Sequence, residues 1–184
     1  PKIELPAGQV FHRVQRTAAR KGSVKINRMI LAPAGIKAGR FCLATGVTAY
    51  LADSAETALY EAVFRRELKT YVALEDLRLK ALGTFTSKKP LRLVDLRGLE
   101  EQYPVLQSQR IQHTQAFAEE CFGDGYDGIL YASAQHPHHE CVCLFEVGAK
   151  KLGFAEALPL VKPGTDILHS AVVDAARRSG VEIT

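Results

Sequence analysis

The stretch Val47-Thr48-Ala49-Tyr50-Leu51-Ala52-Asp53-Ser54-Ala55-Glu56 carries the local signal that decides the fold. Val47 to Ala52 is apolar with a β-branched start, which is the composition of a buried strand. Asp53 reads as a helix N-cap, and Glu56 three positions later as its reciprocal partner in a capping box. Ala55, Ala58, Leu59, Ala62 and Val63 share one broad helical face, and no Gly or Pro interrupts the chain until beyond Leu68. A helix is therefore predicted directly after the strand.

Working outward, Val10 to Val14 has the make-up of a short strand, and the basic, small-residue stretch Arg16 to Ser23 reads as a loop. Lys25 to Lys37 has no decisive pattern. Leu77 to Leu82 and Leu91 to Leu96 alternate polar with apolar residues, as strands do, with Gly83, Ser87 and Pro90 assigned to the loop between them. Thr114 to Phe122 reads as a helix, Gly128 to Tyr131 and Cys141 to Val147 as strands joined by a polar, His-rich connection, and Ser170 to Arg178 as a short final helix. Several strands with few long helices between them favour α+β over a regular parallel βαβ arrangement. The expectation is one compact domain of small mixed or antiparallel sheets flanked by helices.

Composition bounds the remaining choices. At 184 residues, 47% of them hydrophobic and 24% charged, the chain has room for one domain with a real core. The sequence texture changes near residue 150, so residues 1–150 are read as the domain and 151–184 as an extension packing on it or on a partner. Twenty-four Lys and Arg against 20 Asp and Glu leave a net charge of +4, too small for the dense basic footprint of direct nucleic-acid binding. Apolar runs such as Cys141 to Phe145 fall far short of the roughly 18–20 residues that cross a bilayer, so no membrane role is expected. Four cysteines, two of them alternating in one strand, suggest free thiols in a reducing cytoplasm, and the start of the chain shows no basic-then-apolar signal pattern.

Three apparent motifs have plainer readings. Gly123 to Gly128 matches G-x-G-x-x-G, but here the glycines follow a helix and open a strand, the reverse of the context that places a pyrophosphate on a helix N-terminus. His136-Pro-His-His-Glu-Cys-Val-Cys143 is rich in zinc-binding atoms, yet no second Cys/His pair of matching spacing accompanies it, so no metal is expected. A cysteine nucleophile paired with His113 or His169 is not singled out by any local pattern.

The strand–helix unit is more informative. Glu61 lies about two turns into the predicted helix with Arg65 at i+4, which by itself reads as a surface ion pair worth about 0.3–0.5 kcal/mol. Arg13 sits inside an apolar strand segment, where a guanidinium must find a partner or snorkel to water. Arg40, between Gly39 and Phe41, could be an ordinary loop cation.

Val10-Phe-His-Arg13-Val14, Gly39-Arg40-Phe41, Thr48 to Glu61, and Tyr126 to Ser133 leading into Glu140 to Phe145 together resemble the RES domain, a family named for an arginine, a glutamate and a serine. The match runs roughly from Gln9 to Val147, with one departure: Cys42 stands where the family often has Asn after the aromatic residue. The resemblance implies a fold similar to ADP-ribosyltransferases and the toxin half of a bacterial toxin–antitoxin pair. An Xre-type helix-turn-helix antitoxin would be its partner, with which it could assemble into oligomers. It also implies NAD as substrate and no prosthetic group. Cleavage of the nicotinamide–ribose bond leaves an oxocarbenium-like ribose that a carboxylate can stabilise. In that reading Glu61 is the carboxylate, Arg13 and Arg40 neutralise anionic oxygens, Tyr50 stacks on a ring, and Ser133 either bonds the ligand or holds Glu61. Water or phosphate would accept the ADP-ribose. A specific host protein is the alternative acceptor, and a non-enzymatic nucleotide-binding or antitoxin-pairing module the second alternative.

Overall fold

The computed structural model describes residues 1–36, 39–65, 70–99, 102–103 and 111–184. Its centre is an eight-stranded sheet whose members are β1 (Lys2–Leu5), β2 (Val10–Arg16), β5 (Thr48–Ala52), β7 (Lys80–Ser87), β8 (Leu91–Asp95), β9 (Gly128–Ala132), β10 (Glu140–Phe145) and β11 (Leu152–Pro159). The strand order is β1-β8-β9-β10-β5-β2-β7-β11, and every neighbouring pair is antiparallel except β8–β9. Two small two-stranded sheets accompany it, the hairpin of β3 (Val24–Ile26) with β4 (Met29–Leu31), and β12 (Glu182–Ile183) beside β6 (Tyr71–Val72). The fold is α+β as read from the sequence, but the main sheet is larger than the small sheets expected.

Alternation along the central strands divides the core into two faces. Ala52, Ile129, Tyr131, Cys141 and Cys143 point toward α1 (Ala55–Ala62), α3 (Ile111–Gly123) and α5 (Ser170–Ser179), where Leu59, Ala118, Cys121, Val172 and Ala175 close over them. Ala49, Leu51, Leu130, Val142 and Leu144 point the other way, under Ile26, Met29 and Leu31 of the β3–β4 hairpin and Ala149 of α4 (Glu146–Lys150).

The strand–helix unit forms where the sequence places it, with a different cap. Ser54, not Asp53, is the N-cap: its Oγ accepts from the Thr57 N–H at 3.1 Å. Asp53 is drawn away because its Oδ2 accepts the Glu140 N–H (3.0 Å) and pairs with His139 Nδ1 (2.9 Å). Glu56 likewise turns from the cap to the Tyr60 hydroxyl and to Arg178. The helix ends at Ala62, with Val63 as C-cap.

Three further segments differ from their reading. Leu77 belongs to α2 (Leu74–Arg78), and the following strand begins only at Lys80 and runs through Gly83 and Ser87, both assigned from the sequence to a loop. Gly83 is tolerated in mid-strand because a side chain there would press on the Phe85 ring, 2.8 Å from an ideal Cβ. Cys141 to Val147 is strand only as far as Phe145. Residues 151–184 are joined to the domain by main-chain pairing: β11 forms an edge of the large sheet along β7, and α5 packs on α1. No helix among the described residues is long and apolar enough to cross a membrane.

The G-x-G-x-x-G is structural. Gly125 adopts φ +76° in the turn after α3, and Gly128 opens β9 where a Cβ would collide with the Cys143 carbonyl of β10.

Candidate functional site

Of the five residues singled out by sequence, Arg13 and Tyr50 form one group, Glu61 and Ser133 a second, and Arg40 belongs to neither. The first forms where two strands part. β5 pairs with β10 through five residue pairs but with β2 through one, His12 with Ala52. Beyond that pair the Tyr50 carbonyl has no strand partner on the β2 side, and Arg13 takes the vacancy, its Nη1 donating to Tyr50 O at 2.7 Å. Arg13 Nε is buried and without a hydrogen-bond partner. Beside it lies a cavity of about 260 Å³, lined by Arg13, Gly39, Cys42, Thr48 and Tyr50 among others. A guanidinium held this way keeps N–H groups for an anion or a carbonyl.

Tyr50 does more than line that cavity. Its hydroxyl accepts the Phe41 N–H at 2.8 Å and lies 3.6 Å from Cys42 Sγ, so it fastens the turn that carries Arg40. Burial raises its pKa far above the ordinary phenol value, with Cys143 and Cys42 adding to the effect, so it stays a neutral phenol. Gly39 is glycine for a reason seen only here: a Cβ would stand 2.5 Å from the Tyr50 hydroxyl.

The second group is Glu61 and Ser133, 72 positions apart in sequence. Ser133 directly follows β9, and its Oγ accepts the main-chain N–H groups of Gln135 (3.2 Å) and His136 (3.0 Å). Both lone pairs are thereby used, and the hydroxyl hydrogen goes to Glu61 Oε1 at 2.6 Å. The expected ion pair with Arg65 is loose. Its Nη2 stands 3.9 Å from Glu61 Oε2, while its Nε bonds the Glu61 main-chain oxygen at 2.7 Å. The Glu61 side chain retains 21% exposure.

Arg40 lies between the two groups. Its guanidinium sits 5.0 Å from the centre of the Tyr131 ring and 5.6 Å from that of Phe41, within the range of cation–π attraction. Tyr131 is buried and its phenol pKa lies well above normal, chiefly from burial; Arg40 acts to lower it and Glu61 to raise it. Cys141, whose thiol burial pushes up to about 12, feels the same two charges. Arg40 and Glu61 thus address one patch of the sheet, although neither Arg40, Glu61 nor Ser133 lines the Arg13 cavity.

Cys121, Cys141 and Cys143 make poor nucleophiles here. All four cysteines are free and buried; burial raises Cys121 to about 11, and Cys143 well above the ordinary thiol value. His169 is engaged as the N-cap of α5, accepting from the Ala171 N–H, and His113 is exposed on α3. Of the histidines in the β9–β10 connection, His136 directs Nδ1 to Thr57 and His139 to Asp53. Tyr131, Thr57 and His136 carry no local signal, because their parts in the site come from long-range contacts.

The sequence matches the RES domain over residues 11–161. Comparison with curated proteins gives no match. Among solved structures the fold is similar to a chain in the crystal structure of the M. tuberculosis MbcT–MbcA toxin–antitoxin complex, with TM-score 0.62 at 16% identity, covering 85% of this chain and 86% of that one. With the RES match spanning most of its length, the chain belongs to the RES domain family.

Proposed function

We propose that this protein is the toxin of a bacterial toxin–antitoxin pair that cleaves the nicotinamide–ribose bond of NAD in the cytoplasm, with an Xre-type helix-turn-helix protein as its antitoxin. The observation that carries the reading is the state of Glu61: a partly exposed carboxylate with one oxygen fixed by a hydroxyl donor and the other only loosely paired, in a RES domain. Loss of nicotinamide builds positive charge on the ribose, and an oriented carboxylate lowers that barrier electrostatically. Arg13 and Arg40 supply the cations for the diphosphate, and Tyr50 a ring surface.

With water the balance is NAD⁺ plus H₂O giving nicotinamide, ADP-ribose and H⁺; with phosphate the second product is ADP-ribose carrying the phosphate on the anomeric carbon that held nicotinamide. The fold neighbour's place in a toxin–antitoxin complex supports the partner assignment by analogy. The test is incubation of the partner-free protein with NAD, with and without phosphate, following nicotinamide by chromatography. Nicotinamide release is expected, and the second product identifies the acceptor; label moving from NAD to one protein in a lysate would identify a protein acceptor instead. No release under any of these conditions overturns the reading.

A further inference from the structure

We propose that His136 is a positioning residue for Glu61, acting through Ser133 and Thr57; the proposal rests on the reading of Glu61 as the catalytic carboxylate. The Ser133 hydroxyl is oriented by two main-chain N–H groups, one of which belongs to His136. The orientation therefore depends on where the loop 133–139 is held.

That loop is closed on itself by the Ser133 N–H to His139 O bond at 2.8 Å, with His138 in the left-handed region at φ +67°. Its attachment to α1 is made by side chains. His136 Nδ1 lies 2.8 Å from Thr57 Oγ1, which lies 2.7 Å from Ser54 Oγ, the cap of the helix that carries Glu61. The His136 ring stacks on His139 with centroids 3.7 Å apart and stands edge-on to Tyr60, the residue before Glu61, at 4.9 Å. His139 is tied in turn to Asp53.

Both partners of the Ser133–Glu61 bond thus hang on one clasp. Ser133 is set by the His136 main chain, and Glu61 by the helix whose first turn the His136 side chain grips. Without that grip the loop retains its internal bond but loses its register against α1, and the hydroxyl no longer meets Oε1 at hydrogen-bond distance.

The experiment compares His136→Ala, His136→Asn, Thr57→Val and Thr57→Ser in the full chain. Nicotinamide release is measured alongside amide hydrogen exchange at Gln135 and His136 and the thermal midpoint. His136→Ala and Thr57→Val are expected to lower kcat by about 10–100-fold, in line with the roughly hundredfold loss that ~1 Å of misplacement can cause, with KM for NAD little changed. Asn at 136 and Ser at 57, which keep a polar atom in reach of the same partner, should restore most of kcat. In His136→Ala the main-chain amides at positions 135 and 136 should exchange faster at an unchanged thermal midpoint. Unchanged kcat, an effect confined to KM, or wild-type exchange in His136→Ala overturns the proposal. Wild-type protein that releases no nicotinamide overturns the NAD reading alone, and the exchange measurement still decides the clasp.

Discussion

The Arg13 cavity and the Glu61 corner use charge in opposite ways. Arg13 is taken into the sheet, one arm committed to a main-chain carbonyl that strand pairing leaves open. Glu61 stays at the rim, one oxygen held by a hydroxyl whose direction is fixed by two amides. On the proposed reading, the guanidinium completes the architecture and offers what remains to a ligand, whereas the carboxylate contributes little to the architecture and serves the chemistry. Substitutions in the two places should therefore separate stability from activity.

The sharpest separation is Glu61→Gln. Removing the charge while keeping the shape should reduce nicotinamide release by about 100–1,000-fold, the scale of losing one preorganised electrostatic group. Its thermal midpoint should stay near wild type, since Arg65 stands 3.9 Å away in a loose, exposed pair. A midpoint that falls along with activity would erase the distinction between the two regions.

Arg13→Met tests the other side. The half-buried Tyr50 carbonyl loses its donor, and stability should drop by about 1 kcal/mol in a denaturant titration, the lower end of the cost of leaving such a group unsatisfied. KM for NAD should rise as well. Wild-type stability would mean that Arg13 is a ligand contact only.

Gly39→Ala probes the seam between the regions without touching a charge. The added Cβ meets the Tyr50 ring, 2.7 Å from Cζ, and must displace either the ring or the Arg40 turn. A loss of about tenfold or more in kcat/KM is expected, because small shifts of positioned groups are amplified in rate.

The smallest effect is the pH dependence of stability. His12 and His136 have pKa values below the ordinary 6.5, mainly because burial disfavours the charged imidazole. The unfolded chain takes up these protons first, so stability is full above about pH 6.5 and declines as pH falls from there. A thermal midpoint that decreases between about pH 7.5 and pH 5.5, with a shallower slope in His136→Asn, would follow from this linkage.

Much of the architecture could be read locally. Val47 to Ala52 and the helix after it are written in composition and periodicity that need no distant partner. The capping residue could not be told, because Asp53 and Ser54 are both good caps and the choice fell to a contact with Glu140, 87 positions away. Gly83 and Ser87 looked like loop residues for a similar reason. Turn propensity is a weak term, and pairing with β2 on one side and β11 on the other outweighs it. Likewise the polar, punctuated stretch after residue 150 gives no hint that it finds an edge of the sheet.

By itself the sequence determined the α+β class, the strand–cap–helix unit and the ordered set of short motifs that marks a RES domain. These depend on local free-energy preferences and on linear order. Only the tertiary structure decided which polar groups meet: the Tyr50 carbonyl with Arg13, the Ser133 hydroxyl with Glu61, and His136 with Thr57. Each contact satisfies a buried or half-buried polar group that strand and helix pairing leave open, and such vacancies exist only once the chain has folded.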